Sequence, residues 1–103
     1  MKLKKYSEGF IHYCPGCKEM HCIPTEPHAK LQWSFNGNEN SATFSPSVRN
    51  TTPEYKDEDC IVQATCCHYF IRGGQIEFCG DSTHELAGKT VELPDIPTPV
   101  SAP

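Results

Sequence analysis

Short stretches of alternating hydrophobic and polar positions, separated by turn residues, run along this chain and predict strands. Phe10 to Tyr13 reads as a strand leading into the tight turn Cys14-Pro15-Gly16-Cys17, and His21 to Ile23 as the strand leaving it, together a knuckle-like hairpin. Pro24, Pro27 and His28 mark a loop. Leu31, Trp33 and Phe35 then alternate with Gln32 and Ser34 and run into the Asn36-Gly37 turn signal. The expected partner is Ala42 to Phe44. After a break at Ser45-Pro46-Ser47, another extended piece is expected at Val48 to Thr51. Thr52 to Asp59 is polar and acidic without periodicity, which predicts an exposed loop.

From Ile61 to Arg72 the chain is rich in β-branched and aromatic residues, Gly73-Gly74 has the form of a two-residue hairpin turn, and Gln75 to Cys79 returns. That turn sets a register: Arg72 opposite Gln75, Ile71 opposite Ile76, Phe70 opposite Glu77, Tyr69 opposite Phe78 and His68 opposite Cys79. Alternation then places Cys67, Tyr69, Ile71, Ile76 and Phe78 on a core face. Cys66, His68, Cys79 and Asp81 fall on the other face.

Ser82 to Gly88 has a polar starter, an acidic residue three positions on and a closing glycine, so one short helix is expected near residues 82–87. His84 would sit on it. Thr90 to Leu93 is the last expected strand. The fold class that follows is mainly β: a small single domain of short antiparallel hairpins over residues 1–93, with a Pro-rich C-terminal tail at 94–103.

At 103 residues the chain has room for one modest core, in which a bound metal would matter greatly to stability. Its seven cysteines could suggest a secreted disulfide framework. The start MKLKKYSEGF, however, has no apolar stretch after its lysines, and the cysteine count is odd. Reduced thiols in a cytosol, some of them bound to metal, are the expectation. No run approaches the roughly 18 apolar residues of a membrane span, so no membrane association is expected. With a net charge of −4 and its early lysines gathered at Lys2, Lys4 and Lys5, the chain does not favour a nucleic-acid role.

The candidate chemistry begins at Cys14 and Cys17, because two cysteines across a tight turn supply half of a tetrahedral zinc site. For the second pair the residues leave alternatives. Cys66 with His68 satisfies strand alternation, whereas Cys67 with His68 needs a kink or bulge. His21 is a further candidate. Asp81 and His84, with His68 or His21, could form a second, catalytic metal site with open positions; the bland alternative is that Asp81 caps the helix and His84 packs. No Ser-His-Asp order, phosphate-cradling glycine loop or HExxH motif is visible, and catalytic residues are left unassigned.

Taken in order, YCPGC with His21, WSFNGN, TFSPSV, CHYFI followed by GGQIEF, and DSTHELAGKTVELP resemble a family of small bacteriophage and prophage proteins, often labelled ammonia monooxygenase. The resemblance runs from about Phe10 to Pro94. It implies a phage origin, residence in the cytoplasm of the infected bacterial cell, and recurring positions at Cys14, Cys17, His21, Cys67, His68, Asp81 and His84. It favours Cys67 over Cys66, which calls for an irregular strand entry. A similar bacterial group has a Ser-His-Tyr-Trp-Ile stretch matching Cys67 to Ile71, which favours His68 as a ligand. The monooxygenase label itself is excluded, since such enzymes are large membrane-embedded copper proteins.

The expected ligand set is therefore Cys14, Cys17, Cys67 and His68 around a structural Zn2+, with His21, Asp81 and His84 behind them. The expected function is that of a phage accessory protein, more a binder than an enzyme, acting on a host or phage protein in host takeover or against a defence system. Trp33, Phe35 and Phe44 are candidate contact aromatics, although alternation puts at least two of them in the core. The alternative is a small metal-dependent hydrolase or nuclease using His68, Asp81 and His84, with Glu85 or Glu77 as base.

Overall fold

The computed structural model describes residues 1–97 and is all-β, with no helix among the described residues. Its first sheet is a meander of β1 (Lys4–Tyr6), β2 (Gly9–Cys14) and β3 (Glu19–Pro24). The second sheet contains β4 (Ser34–Phe35), β5 (Phe44–Thr52), β8 (Thr65–Arg72), β9 (Gln75–Phe78) and β10 (Thr90–Glu92). Their spatial order is β10-β9-β8-β5-β4, and every pairing is antiparallel. Between β5 and β8, β6 (Tyr55–Asp57) and β7 (Cys60–Val62) form a small exposed hairpin.

The β8–β9 register is the one expected from the Gly73-Gly74 turn, with Tyr69 opposite Phe78 and Ile71 opposite Ile76. Both glycines have positive φ, 55° and 80°, which L side chains adopt with strain and which explains why a glycine pair turns this hairpin. The inward faces carry the core. Leu3, Cys14 and Ile23 from the N-terminal segment and first sheet meet Phe44, Val48, Cys67, Tyr69, Ile71, Ile76 and Phe78 from the second. Leu93, just after β10, is also fully buried. Phe35 stacks on Phe44 with ring centroids 4.7 Å apart, and Phe10 approaches Phe35 at the same distance. Trp33, Phe35 and Phe44 thus all take part in packing.

A polar network also joins the two sheets. Tyr69 Oη lies 2.7 Å from His12 Nε2 and 3.1 Å from His21 Nδ1, and Asn50 Nδ2 is 3.2 Å from the same His21 nitrogen. Burial, reinforced by His21, lowers the His12 pKa to about 4, so this ring is neutral at pH 7. The neutral form can share hydrogen bonds in the core without the cost of burying a charge.

Three expected elements differ. The acidic segment is not all loop: Tyr55 to Asp57 pairs with Cys60 to Val62, and Glu58 takes φ 54° in the turn between them. The strand expected from Leu31 is only Ser34–Phe35, and Leu31 is exposed. The short helix expected near 82–87 is a series of turns, with bonds from Ala87 N–H to His84 O and from Lys89 N–H to Leu86 O. The Ser82 hydroxyl, the polar starter of that expected helix, instead bonds the backbone of His68. The tail's first residues return to the N-terminus, where Ile96 N–H donates to Met1 O at 2.7 Å; residues 98–103 of the expected Pro-rich tail lie outside the described residues.

Candidate functional site

Two sites stand on opposite faces of β8, because successive strand residues point to opposite sides. Cys67 points inward and His68 outward. The inward site starts at the end of β2, where Lys18 N–H closes the turn onto Cys14 O at 2.8 Å and Cys17 N–H points at Cys14 Sγ at 3.4 Å. Lys18 has φ 58°, a left-handed step that brings the chain round into β3. Cys14 Sγ is 3.7 Å from Cys67 Sγ, which is in turn 3.4 Å from His84 Nε2. With Cys17, these groups offer four ligand atoms all within 4.8 Å of one another. This set can hold a metal ion, and three sulfurs with one imidazole is a closed structural type.

The thiols' acidities reflect their crowding. The contact with the Cys67 thiol pulls Cys14 down to about 5, while the same contact and burial drive Cys67 upward. Burial also raises Cys17, to about 11. Three thiolates in contact would repel one another strongly, and a divalent cation between them removes that repulsion.

Gly16 reports how tightly this site is built. A Cβ at Gly16 would overlap the imidazole of His84, so the turn can approach that ring only without a side chain. Gly16→Ala is expected to push His84 out of the cluster and weaken metal affinity at least about 10-fold, the scale of a disturbed ligand environment. Competition with a chromophoric chelator would measure this. An unchanged affinity would mean that His84 does not contribute to metal binding.

The outward site is organised by the segment after β9. Ser82 Oγ accepts from His68 N–H at 3.1 Å and donates to His68 O at 3.0 Å. Thr83 does the same for Cys66: its Oγ1 accepts from Cys66 N–H at 3.0 Å, and its own N–H donates to Cys66 O at 2.8 Å. Residues 82 and 83 thus dock along β8 and satisfy its backbone, which fixes Asp81 beside His68 and His84 beside Cys67.

His68 Nδ1 faces the Asp81 carboxylate, at 3.1 and 3.2 Å from its two oxygens, while His68 Nε2 lies 3.1 Å from Ser47 Oγ. With the proton on Nδ1, that N–H donates to Asp81, and Nε2 is free to accept from the Ser47 hydroxyl. This is the order nucleophile, base, orienting carboxylate. Ser47 comes from an irregularity in β5: Phe44 is opposite Ile71 and Val48 opposite Tyr69, so Ser45, Pro46 and Ser47 lie where β8 supplies only Phe70. Trp33 Nε1 donates to Ser47 O at 3.3 Å and steadies the bulge.

The structure therefore divides the residues singled out from the sequence. Cys14, Cys17 and Cys67 lie together as expected for a metal site, with His84 in the place assigned to His68. No irregular strand entry is needed, because β8 is regular and His68 points the other way. His21 is buried against Tyr69 and Asn50, with Glu19 3.6 Å from its Nε2. His68, Asp81 and His84, the trio considered for a catalytic metal, do not converge, since His84 belongs to the thiol cluster. Ser47 was not singled out. Its signal was the Ser-Pro-Ser interruption of a strand, a bulge of the kind that re-aims side chains next to active sites.

One protein-family model, described as bacterial ubiquitination-like system serine protease (BubE), matches residues 1–79. No curated protein and no solved structure matches the chain.

Proposed function

The chain belongs to the BubE family, described as serine proteases of a bacterial ubiquitination-like system, and from that premise we propose that it is itself a serine hydrolase cleaving acyl bonds of a polypeptide in such a system. The observation that carries this reading is the hydrogen-bonded chain Ser47–His68–Asp81 on the outer face of the sheet. Ser47 Oγ attacks the carbonyl carbon, His68 Nε2 takes its proton and returns it to the leaving group, and Asp81 holds the imidazole and stabilises its charged form. An acyl-Ser47 intermediate then yields to water. The side chain of His68 is 25% exposed and that of Asp81 50%, so a substrate can reach the relay without opening the fold.

The metal we propose for Cys14, Cys17, Cys67 and His84 is zinc, in a structural role. It would tie the β2–β3 turn to β8 and to the turn bearing His84, three residues from Asp81. A phage accessory role in the cytoplasm of an infected cell, acting on a host or phage protein, is also a proposal and rests on the sequence resemblance alone. Combined with the relay, it would make removal of host conjugates the activity.

A fluorophosphonate probe tests the serine reading directly. Intact-mass analysis of the metal-loaded protein is expected to show one adduct, mapped to Ser47, and none in Ser47→Ala. A folded, metal-loaded protein that stays unmodified, or an adduct elsewhere, would overturn the proposal.

A further inference from the structure

Cys79 takes no part in either arrangement described above, yet it is held beside the relay. It follows directly on β9, with its N–H donating to His68 O at 2.8 Å and its carbonyl accepting from Ser82 N–H at 3.1 Å. Its Sγ, a His68 ring nitrogen and an Asp81 oxygen all lie within 4.8 Å of one another. A small hydrophobe or serine would satisfy the backbone geometry equally well. The thiol instead supplies a third donor of the kind that, with imidazole and carboxylate, suits zinc.

We propose that Cys79, His68 and Asp81 form a second, inhibitory site for a divalent transition-metal ion of the zinc type, which switches the relay off. The proposal rests on the serine-hydrolase reading for its consequence, but not for the metal site itself. Ligand atoms around tetrahedral zinc are roughly 3.3–3.7 Å apart, from bonds of about 2.0–2.3 Å. Closing the trio therefore takes shifts of about an ångström in half-exposed side chains. Burial and the Asp81 charge hold the Cys79 thiol protonated in the absence of metal. Binding releases the Cys79 proton, while the single proton of the neutral His68 ring moves from Nδ1 to Nε2, so that the thiolate and Nδ1 each give a lone pair to the ion. Asp81 is then engaged by the metal and no longer by the ring. With Nδ1 on the ion and the ring proton on Nε2, that nitrogen can only donate to Ser47 Oγ and has no lone pair to take its proton. The three-ligand set leaves a position for water, which makes the site weaker than the thiol cluster and reversible.

The test uses the full chain loaded with one equivalent of zinc. Cobalt(II) titration reads a further site through thiolate-to-cobalt absorption, and the rate of fluorophosphonate modification of Ser47 reads the relay. The wild type is expected to take a second equivalent and to lose at least about 10-fold in modification rate, recovering with a mild chelator. In Cys79→Ser the second equivalent should be absent. The ratio of its rates with and without zinc should stay near one at concentrations that inhibit the wild type, while Cys60→Ser, altered at an exposed thiol elsewhere, should behave as wild type. Equal zinc inhibition of Cys79→Ser and wild type would overturn the proposal. So would ready modification of Ser47 with no Cys79-dependent second equivalent, which would leave the hydrolase reading intact. A Cys79-dependent second equivalent on a chain whose Ser47 never reacts would support the metal site and overturn the hydrolase reading.

Discussion

Cys14→Ser is expected to leave the protein without its metal and without a cooperative unfolding transition. Cys14 is fully buried and forms part of the core while contributing to the Cys14–Cys17–Cys67–His84 cluster, so both packing and ligation meet at one atom. Structural zinc in small domains supplies roughly 10–16 kcal/mol of apparent binding free energy, strongly dependent on pH. A domain of ordinary stability has about 5–15 kcal/mol in total. Loss of the metal is therefore comparable to the whole of the folding free energy. Among the described residues there is no disulfide to compensate, since all seven cysteines are free. Elemental analysis and a thermal melt would check this, with Cys60→Ser as the control. Wild-type melting and solubility for a metal-free Cys14→Ser protein would show that the strands alone sustain the fold.

The same loss should reach the relay. Asp81 is three residues before His84 of the thiol cluster, and Ser82 and Thr83 between them dock on β8. Releasing His84 frees one end of this short segment, so chelation is expected to reduce reactivity at Ser47 even where some folded protein survives. The metal's contribution to catalysis is in this view one of position.

How much of this was legible in the chain depended on whether a feature is local. The Gly73-Gly74 hairpin was, because two glycines and alternating flanks fix a register without knowledge of the rest. From that register followed the separation of Cys67 from His68, and with it the grouping of His68, Cys79 and Asp81 on one face. The choice between His68 and His84 as the fourth group of the cluster was not legible. It depends on how residues 81–88 fold back, and there the Ser82 hydroxyl bonds to β8 and does not start a helix. Ser47 lies 21 positions before His68, and its role depends on a strand pairing that proline 46 interrupts. The Ser-His-Asp order judged absent from the sequence is in fact present as Ser47, His68 and Asp81, because a relay of this kind is defined by geometry and its chain order alone does not reveal it.

His68→Ala and Asp81→Asn separate a serine relay from a metal hydrolase built on the same side chains. Without His68, no base within hydrogen-bond reach accepts the Ser47 proton, and the rate of acyl transfer should fall by about 10⁴-fold or more. Asp81→Asn keeps the size of the side chain but offers N–H where Nδ1–H must donate. It favours the tautomer with the proton on Nε2, where it cannot serve Ser47. Because the Asp81 side chain is 50% exposed, water can take over part of its role, and a loss of about 10²–10⁴-fold is expected. Both substitutions should lower kcat with little change in KM, since neither group need hold the substrate in its ground state. Single-turnover rates with an activated ester, on variants shown to retain metal and fold, give the measurement. A catalytic metal held by His68 and Asp81 would predict instead that reactivity is lost on removing that ion and restored on its return, with Ser47→Ala remaining active. Near-wild-type rates in both variants would rule out the relay.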